Sequence, residues 1–355
     1  MRVHANFAHH RDGVLRLLGL PTGESTPRDH VQQALERWDA LAFEQAASDA
    51  GLVVAAVRTL DEWDRHPQGL AVAAQPLFSI EKIGDAPPRT LPAISASDRP
   101  LQGLRVLDLT RVLAGPVAGR TLAAYGADVM LVNSPNLPNI PSIAETSRGK
   151  LSAHIDLTTD DGQAALRSLC ETAHLFVQGY RPGGLAALHF SPDELARLRP
   201  GIVAVSVSAY GDQGPWAGKR GFDSLVQTAT GLNMAEADAA GTDQPKALPV
   251  QILDHFTGYL IAFAAQAALL RQQREGGSWK VRVSLAQTGH WLRHLGRLAH
   301  GFDVTPAPFD DLLEASDSGF GRLVAVKHAA QFSQTPALWS RPSMPPGSHP
   351  PIWPG

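Results

Sequence analysis

One cysteine, Cys170, stands among 355 residues. An intrachain disulfide is thereby excluded, and no Cys-x-x-Cys pair exists to hold a metal or shuttle electrons. The chain fits a reducing compartment, and the apolar helical neighbours Ala165, Leu166 and Leu169 mark the thiol as structural rather than reactive. Charge of one sign is also missing. Thirty-one Lys and Arg face 34 Asp and Glu, for a formal net charge of −3 with no basic cluster, so no nucleic-acid partner is expected. The opening Met1-Arg-Val-His-Ala-Asn-Phe7 has no secretory apolar core, and no apolar stretch is expected to reach the roughly 18 residues that span a bilayer. A cytoplasmic location with no membrane partner is expected. There is no G-x-S-x-G, no Walker loop and no G-x-G-x-x-G, which disfavours the chemistries those loops carry. His4, His9 and His10 lack i, i+4 pairing and an accompanying acid, so no metal site is expected.

What is present is a large apolar fraction, 44% of the residues, enough for a substantial core. The first stretch, residues 1–84, reads as a small α/β domain. It has a short strand at 2–5, a helix at 11–18, a longer helix at 27–50 closed by Gly51, and a strand at 52–57. Residues 85–100, rich in Pro and small polar side chains, read as an extended linker. From Leu101 the pattern alternates. Strands at 105–109, 129–132, 175–178 and 202–208 are separated by helices at 114–125, 162–172 and 191–197. Buried apolar strands separated by helices predict an α/β fold with a doubly wound, mainly parallel, Rossmann-like sheet over 101–300. Ligands on such sheets lie beyond the carboxyl ends of the strands. Residues 301–355 lose the rhythm and read as an extended Pro-rich arm.

Four places are candidates for chemistry. The segment Leu248-Pro-Val-Gln-Ile-Leu-Asp254 puts one carboxylate where a strand-like run gives way to the long apolar helix after Gly258. Backbone N–H groups and the helix dipole favour an ionised acid there, which makes Asp254 a candidate nucleophile, although an acid so placed is usually a helix N-cap. The turn at 106–119 brings small residues near a ligand, yet the second strand ends in Asn133 where a dinucleotide site would carry an acid. The loop Gln178-Gly-Tyr-Arg-Pro-Gly183 pairs an aromatic face with a guanidinium, suited to an adenine and a phosphate. The loop at 208–222, with Lys219 and Arg220, suits either a flexible lid over an anionic ligand or an ordinary surface loop.

Several motifs occur in order: Pro-Leu-Gln-Gly-Leu-Arg-Val-Leu-Asp-Leu-Thr-Arg-Val-Leu-Ala-Gly-Pro from Pro100, Tyr-Gly-Ala-Asp-Val from Tyr125, Ser-Arg-Gly-Lys-Leu-Ser from Ser147, Tyr-Arg-Pro-Gly from Tyr180, Gly-Phe-Asp-Ser-Leu-Val-Gln from Gly221, and Gly-Gly-Ser-Trp-Lys-Val-Arg-Val-Ser-Leu from Gly276. Together they resemble the family III CoA-transferases, the carnitine/bile-acid-inducible or formyl-CoA transferase type, over about 101–297. The resemblance implies that Asp254 is the nucleophile, forming an aspartyl anhydride and then an aspartyl-CoA thioester. It implies CoA contacts at Leu113 and Ala114, from Ile155 to Thr158, at Gly179, Tyr180 and Arg181, and from Arg220 to Phe222. It also implies acyl-CoA and a carboxylic acid acceptor as substrates, no tightly bound cofactor, and an interlocked homodimer.

The chain departs from the family pattern at Ser134, at Tyr180 and near Ala187, two of them losing a cation, and Phe222 stands where related racemases carry a histidine, which argues against epimerisation. Residues 1–80 resemble the family's small domain, which normally follows the catalytic half. A circular rearrangement with an upstream segment missing is therefore expected. The competing readings are a non-catalytic acyl-CoA-binding or scaffold protein on a degraded transferase fold, and a Rossmann oxidoreductase suggested by the βαβ pattern alone.

Overall fold

A computed structural model describes residues 1–91, 95 and 98–354. Their contacts gather the chain into two compact units. The first comprises Met1–Leu77, Ser208–Leu253 and Ser284–Val304; the second comprises Phe78–Val207, Asp254–Val283 and Thr305–Gly355.

The first unit carries a two-stranded antiparallel ribbon, β1 (Arg2–Val3) with β2 (Val54–Ala55). Val14, Phe43, Ala47 and Val54 form the centre of its N-terminal core. The single helix expected over 27–50 is in fact two, Arg28–Leu35 and Ala40–Asp49. Asp39 causes the break, because its carboxylate accepts the N–H groups of Leu41 and Ala42 at 3.0 and 2.9 Å. A side chain bonded to its own downstream backbone starts a new helix in preference to continuing the old one.

The second unit is built on a seven-stranded sheet: β3 (Phe78–Gly84), β4 (Arg105–Leu109), β5 (Asp128–Asn133), β6 (Leu151–His154), β7 (Leu175–Gln178), β8 (Val203–Ser208) and β9 (Ser278–Ser284). Their order across the sheet is β3-β9-β8-β7-β4-β5-β6. The pairs β4–β5, β5–β6, β4–β7 and β7–β8 are parallel, as buried apolar strands joined by helices require, and β3 adds antiparallel to β9 at one edge. From β4 the chain winds outward through β5 and β6, returns to the other side of β4 as β7, and proceeds outward through β8. The topological switch point therefore lies between β4 and β7, where Leu109 and Gln178 are in register.

The helix Ala114–Ala124 is buried along its whole length. Against the same core packs the helix Ile252–Glu275, through Ile261, Ala262, Ala264, Ala265, Ala268 and Leu269. At 24 residues it is long and apolar enough to cross a membrane by length and composition. Expecting no stretch of that length was thus too narrow: its scattered polar residues interrupt every apolar run without lowering the average below a spanning value.

The described part of the linker is extended, and backbone carbonyls tie it down. Gly277 N–H donates to Ala86 O at 2.8 Å and Gln272 to Pro87 O at 3.1 Å. Residues 92–94 and 96–97 of that expected linker lie outside the described residues. Within the segment read as an extended arm there is an antiparallel hairpin, β10 (Leu313–Ser318) with β11 (Gly321–Val326).

Candidate active site at the switch point

Strand β4 ends in Leu109, and the turn that follows is unusual. Val112 has φ of 73°, a left-handed conformation that a β-branched residue adopts only under constraint. Gly115 lets the turn fold back closely, since a Cβ there would come within 2.2 Å of the Thr110 side chain. Leu113 then precedes the first residue of the buried helix, Ala114. Across the switch point, Gly179 N–H donates to Leu109 O at 3.4 Å, and the site of its missing Cβ lies 3.8 Å from Thr110. Loops 110–114 and 179–181 thus adjoin at the switch point. Beyond β6, Ile155 is buried and donates its N–H to Asn133 O at 2.9 Å. Thr158 donates through N–H and hydroxyl to Asp156, holding that carboxylate below its usual range. All these residues lie at the carboxyl ends of the strands.

Tyr180 and Arg181 divide in character. The Tyr180 ring packs against the apolar cluster under β7, and burial raises its hydroxyl, whereas Arg181 is exposed. The expectation of a free aromatic face beside a guanidinium holds only for the guanidinium, because much of the ring is used in packing.

Asp254 is the third residue of the helix Ile252–Glu275, in its first turn, and only 6% exposed. The strand expected before it is absent: Leu248–Gln251 is irregular, with Val250 at φ of 53°. The helix takes in Ile252 and Leu253, so the carboxylate stands inside the first turn, where free N–H groups and the dipole still favour its ionised form. One turn on, Gly258 packs against the start of the helix that follows the switch-point turn. A Cβ there would lie 2.7 Å from Ala114 O and from the Val117 side chain. Residues four apart stack on one helix face, so Asp254 sits about 6 Å along the axis from the point where its helix touches Ala114. His255, the neighbour in sequence, is half-buried, and burial and the charge of Arg120 hold its ring below the usual imidazole range.

Beneath the turn is a feature the sequence reading quoted as motif but gave no role. Asp108 and Lys150 are both fully buried, with Nζ 2.8 Å from Oδ2. Lys150 also donates to Pro116 O at 2.8 Å, and the Thr110 N–H and hydroxyl both donate to Asp108 Oδ1. Burial pulls the ammonium down and the Asp108 charge opposes it. The available signal was a lone acid inside an apolar strand and a lone lysine entering another, both places where a charge needs a partner.

Arg220 and Phe222 belong to the first unit. Arg220 is exposed and donates to Gly51 O at 2.8 Å. Phe222 stacks on His4 at 3.9 Å, with Phe7 and His10 alongside. His4 and His10 face each other through Nδ1 at 3.0 Å, and burial pushes His4 down to about 4. Lys219 lies 3.2 Å from Glu44 and 3.6 Å from the Trp216 ring centre, with its side chain 9% exposed. Of the two readings of that loop, the lid would need a free cation at Lys219; the side chain is instead an anchor, held by a carboxylate and an aromatic face inside the unit.

The model of CoA-transferase family III matches residues 101–300, more than half of the chain. Similar sequences include a probable fatty acyl-CoA transferase of Mycobacterium tuberculosis, 33% identical over 57% of this chain and 56% of the relative. A succinate–glutarate CoA-transferase of Agrobacterium fabrum is 34% identical over 52% and 51%, and an acetyl-coenzyme A transferase of Hypoxylon pulicicidum is 29% identical over 81% and 52%. The chain spans about half the length of these curated relatives. A crystal structure of Rv3272 from Mycobacterium tuberculosis superimposes with a TM-score of 0.60 at 23% identity, covering 71% of this chain and 98% of that one, a likeness of fold. With the switch-point sheet, the ordered motifs and the family model in agreement, the chain belongs to CoA-transferase family III.

Proposed function

We propose that the chain carries the catalytic carboxylate of a CoA-transferase that moves CoA from an acyl-CoA to a free carboxylic acid. The observation that carries this reading is the place of Asp254: in the first turn of a helix that packs, one turn later, onto the loop at the switch point. Asp254 attacks the thioester carbonyl of the donor, forming a mixed anhydride and releasing CoA thiolate. The thiolate attacks the aspartyl carbonyl, which gives an aspartyl-CoA thioester and frees the donor acid. The acceptor carboxylate attacks that thioester to form a second anhydride, and CoA thiolate takes the acceptor acyl group, restoring Asp254.

A carboxylate is a weak nucleophile in water and gains from desolvation and alignment. Both are in keeping with its burial. The oxyanion of each addition calls for N–H donors, for which the turn at 111–114 is the candidate. CoA lies along Leu113, Ala114, Ile155, Thr158, Gly179, Tyr180 and Arg181. CoA enters as substrate, no cofactor is held, and the working form is a homodimer.

The test is trapping. The chain is incubated with acyl-CoA and hydroxylamine, or with borohydride, and digested for mass spectrometry, using acceptors that include succinate and glutarate. A hydroxamate or reduced side chain at Asp254, absent from Asp254→Asn, is expected. Acyl-CoA binding by folded protein with no covalent species would replace transfer with the acyl-CoA-binding scaffold reading.

A further inference from the structure

The Asp108–Lys150 pair has no exposed surface on either side chain. Such a pair is a poor source of stability, because apolar residues of similar volume fill the same space at equal or lower cost. What it does is connect. Asp108 receives the N–H and hydroxyl of Thr110, at the start of the turn. Lys150 donates to Pro116 O, in the first turn of the helix that ends it. Gly119 makes room for both, since a Cβ there would meet Asp108 Oδ2 at 2.3 Å and Lys150 Nζ at 2.8 Å. Between the two tied points lies Val112, with φ of 73°. A β-branched residue stays left-handed only where its surroundings over-determine it, and here both flanks are fastened to one charge pair.

We propose that Asp108 and Lys150 are positioning residues that act through Val112: they hold the strained turn so that the backbone of Leu113 and Ala114 is presented to the acyl-CoA thioester. The proposal rests on the CoA-transfer reading for its ligand, but not for its structural half. The pair touches no reacting atom.

The experiment removes the charges together, because Lys150→Met alone leaves a buried carboxylate unpaired. Asp108→Asn/Lys150→Met keeps both shapes. Deuterium uptake over residues 109–114 is expected to quicken, and the acyl-CoA Kd to rise by about tenfold, while the rest of the protein exchanges as in the parent. Adding Val112→Gly is expected to recover most of the lost affinity, because glycine takes the left-handed conformation without a Cβ penalty. A purely structural pair gives no such rescue. Parent-like exchange and affinity in the folded double variant overturn the proposal, and so does Val112→Gly without rescue. Should the double variant fail to fold, Val112→Gly alone decides: a raised Tm is expected from relieved strain, and a lowered Tm overturns it. A parent that binds no acyl-CoA sinks the CoA-transfer reading, and the exchange measurement still tests the clamp.

Discussion

Each unit buries a carboxylate against cations, and the two arrangements differ in how many partners share the load. In the first unit, Glu44 is met by Arg58, by Lys219 and by the N–H of Ala56, with Trp216 lying against both cations. The donors come from 56–58 and from Lys219, and with Glu44 they join three segments. In the second unit one lysine answers one aspartate, and the backbone held is a single short turn. Redundant pairing tolerates the loss of a donor, whereas exclusive pairing leaves an uncompensated charge in a sealed site.

The comparison can be broken at several points. The largest effect belongs to chemistry: Asp254→Asn is expected to lower steady-state transfer by about a thousandfold or more, about 4 kcal/mol of barrier. Next come the two lysines. Lys150→Met is expected to cost about 3–5 kcal/mol in urea unfolding, and Lys219→Met about 1 kcal/mol, because Glu44 keeps Arg58. Equal costs would erase the distinction. Gly258→Ala, which drives a methyl against Ala114 O, is expected to cost about 1–3 kcal/mol and to lower kcat by shifting Asp254, measured by unfolding and kinetics on one preparation. The smallest effect is shared by both units. Burial pushes His4 and His328 each down to about 4. The unfolded chain therefore binds these protons first as pH falls, so stability is full above about pH 6.5 and is lost toward pH 4. Each histidine's contribution is lost progressively as pH falls from about 6.5 toward 4. His4→Gln should flatten that slope modestly, and an unchanged slope would show that His4 is charged in the folded state.

Much of the second unit was legible because its signals are local. Strands β4 and β7 fall where apolar runs of four or five residues end in polar turns, and the helices Ala114–Ala124, Asp160–Cys170 and Pro192–Leu198 were placed to within two residues, whereas the short helix Ile143–Thr146 and strand β6 were not expected. The harder elements depend on partners elsewhere. Strand β3 alternates Phe78-Ser-Ile-Glu, a visible period of two, but it earns strand status only beside β9, some two hundred residues on. The β10–β11 hairpin hides among prolines because its apolar face is thin. The site was legible as a set of loops, since the switch point follows from strand order. Which side chains are free was not: Lys219 and the Tyr180 ring look available in sequence and are claimed by Glu44 and the β7 core. Asp254 lies inside its helix rather than before it, because helical backbone extends to Ile252 once the helix packs on Ala114.

The first unit's three-part construction has a consequence for biogenesis. Its opening 77 residues leave the ribosome long before Ser208–Leu253 and Ser284–Val304, which belong to the same compact body. The ribbon β1–β2 must wait, partly unpartnered, for the helix Asp223–Ala229 that packs on it, while β4 to β8 are synthesised. High sequence separation slows closure of this unit. Translation speed and chaperone supply should therefore govern the yield of the first unit more than that of the sheet.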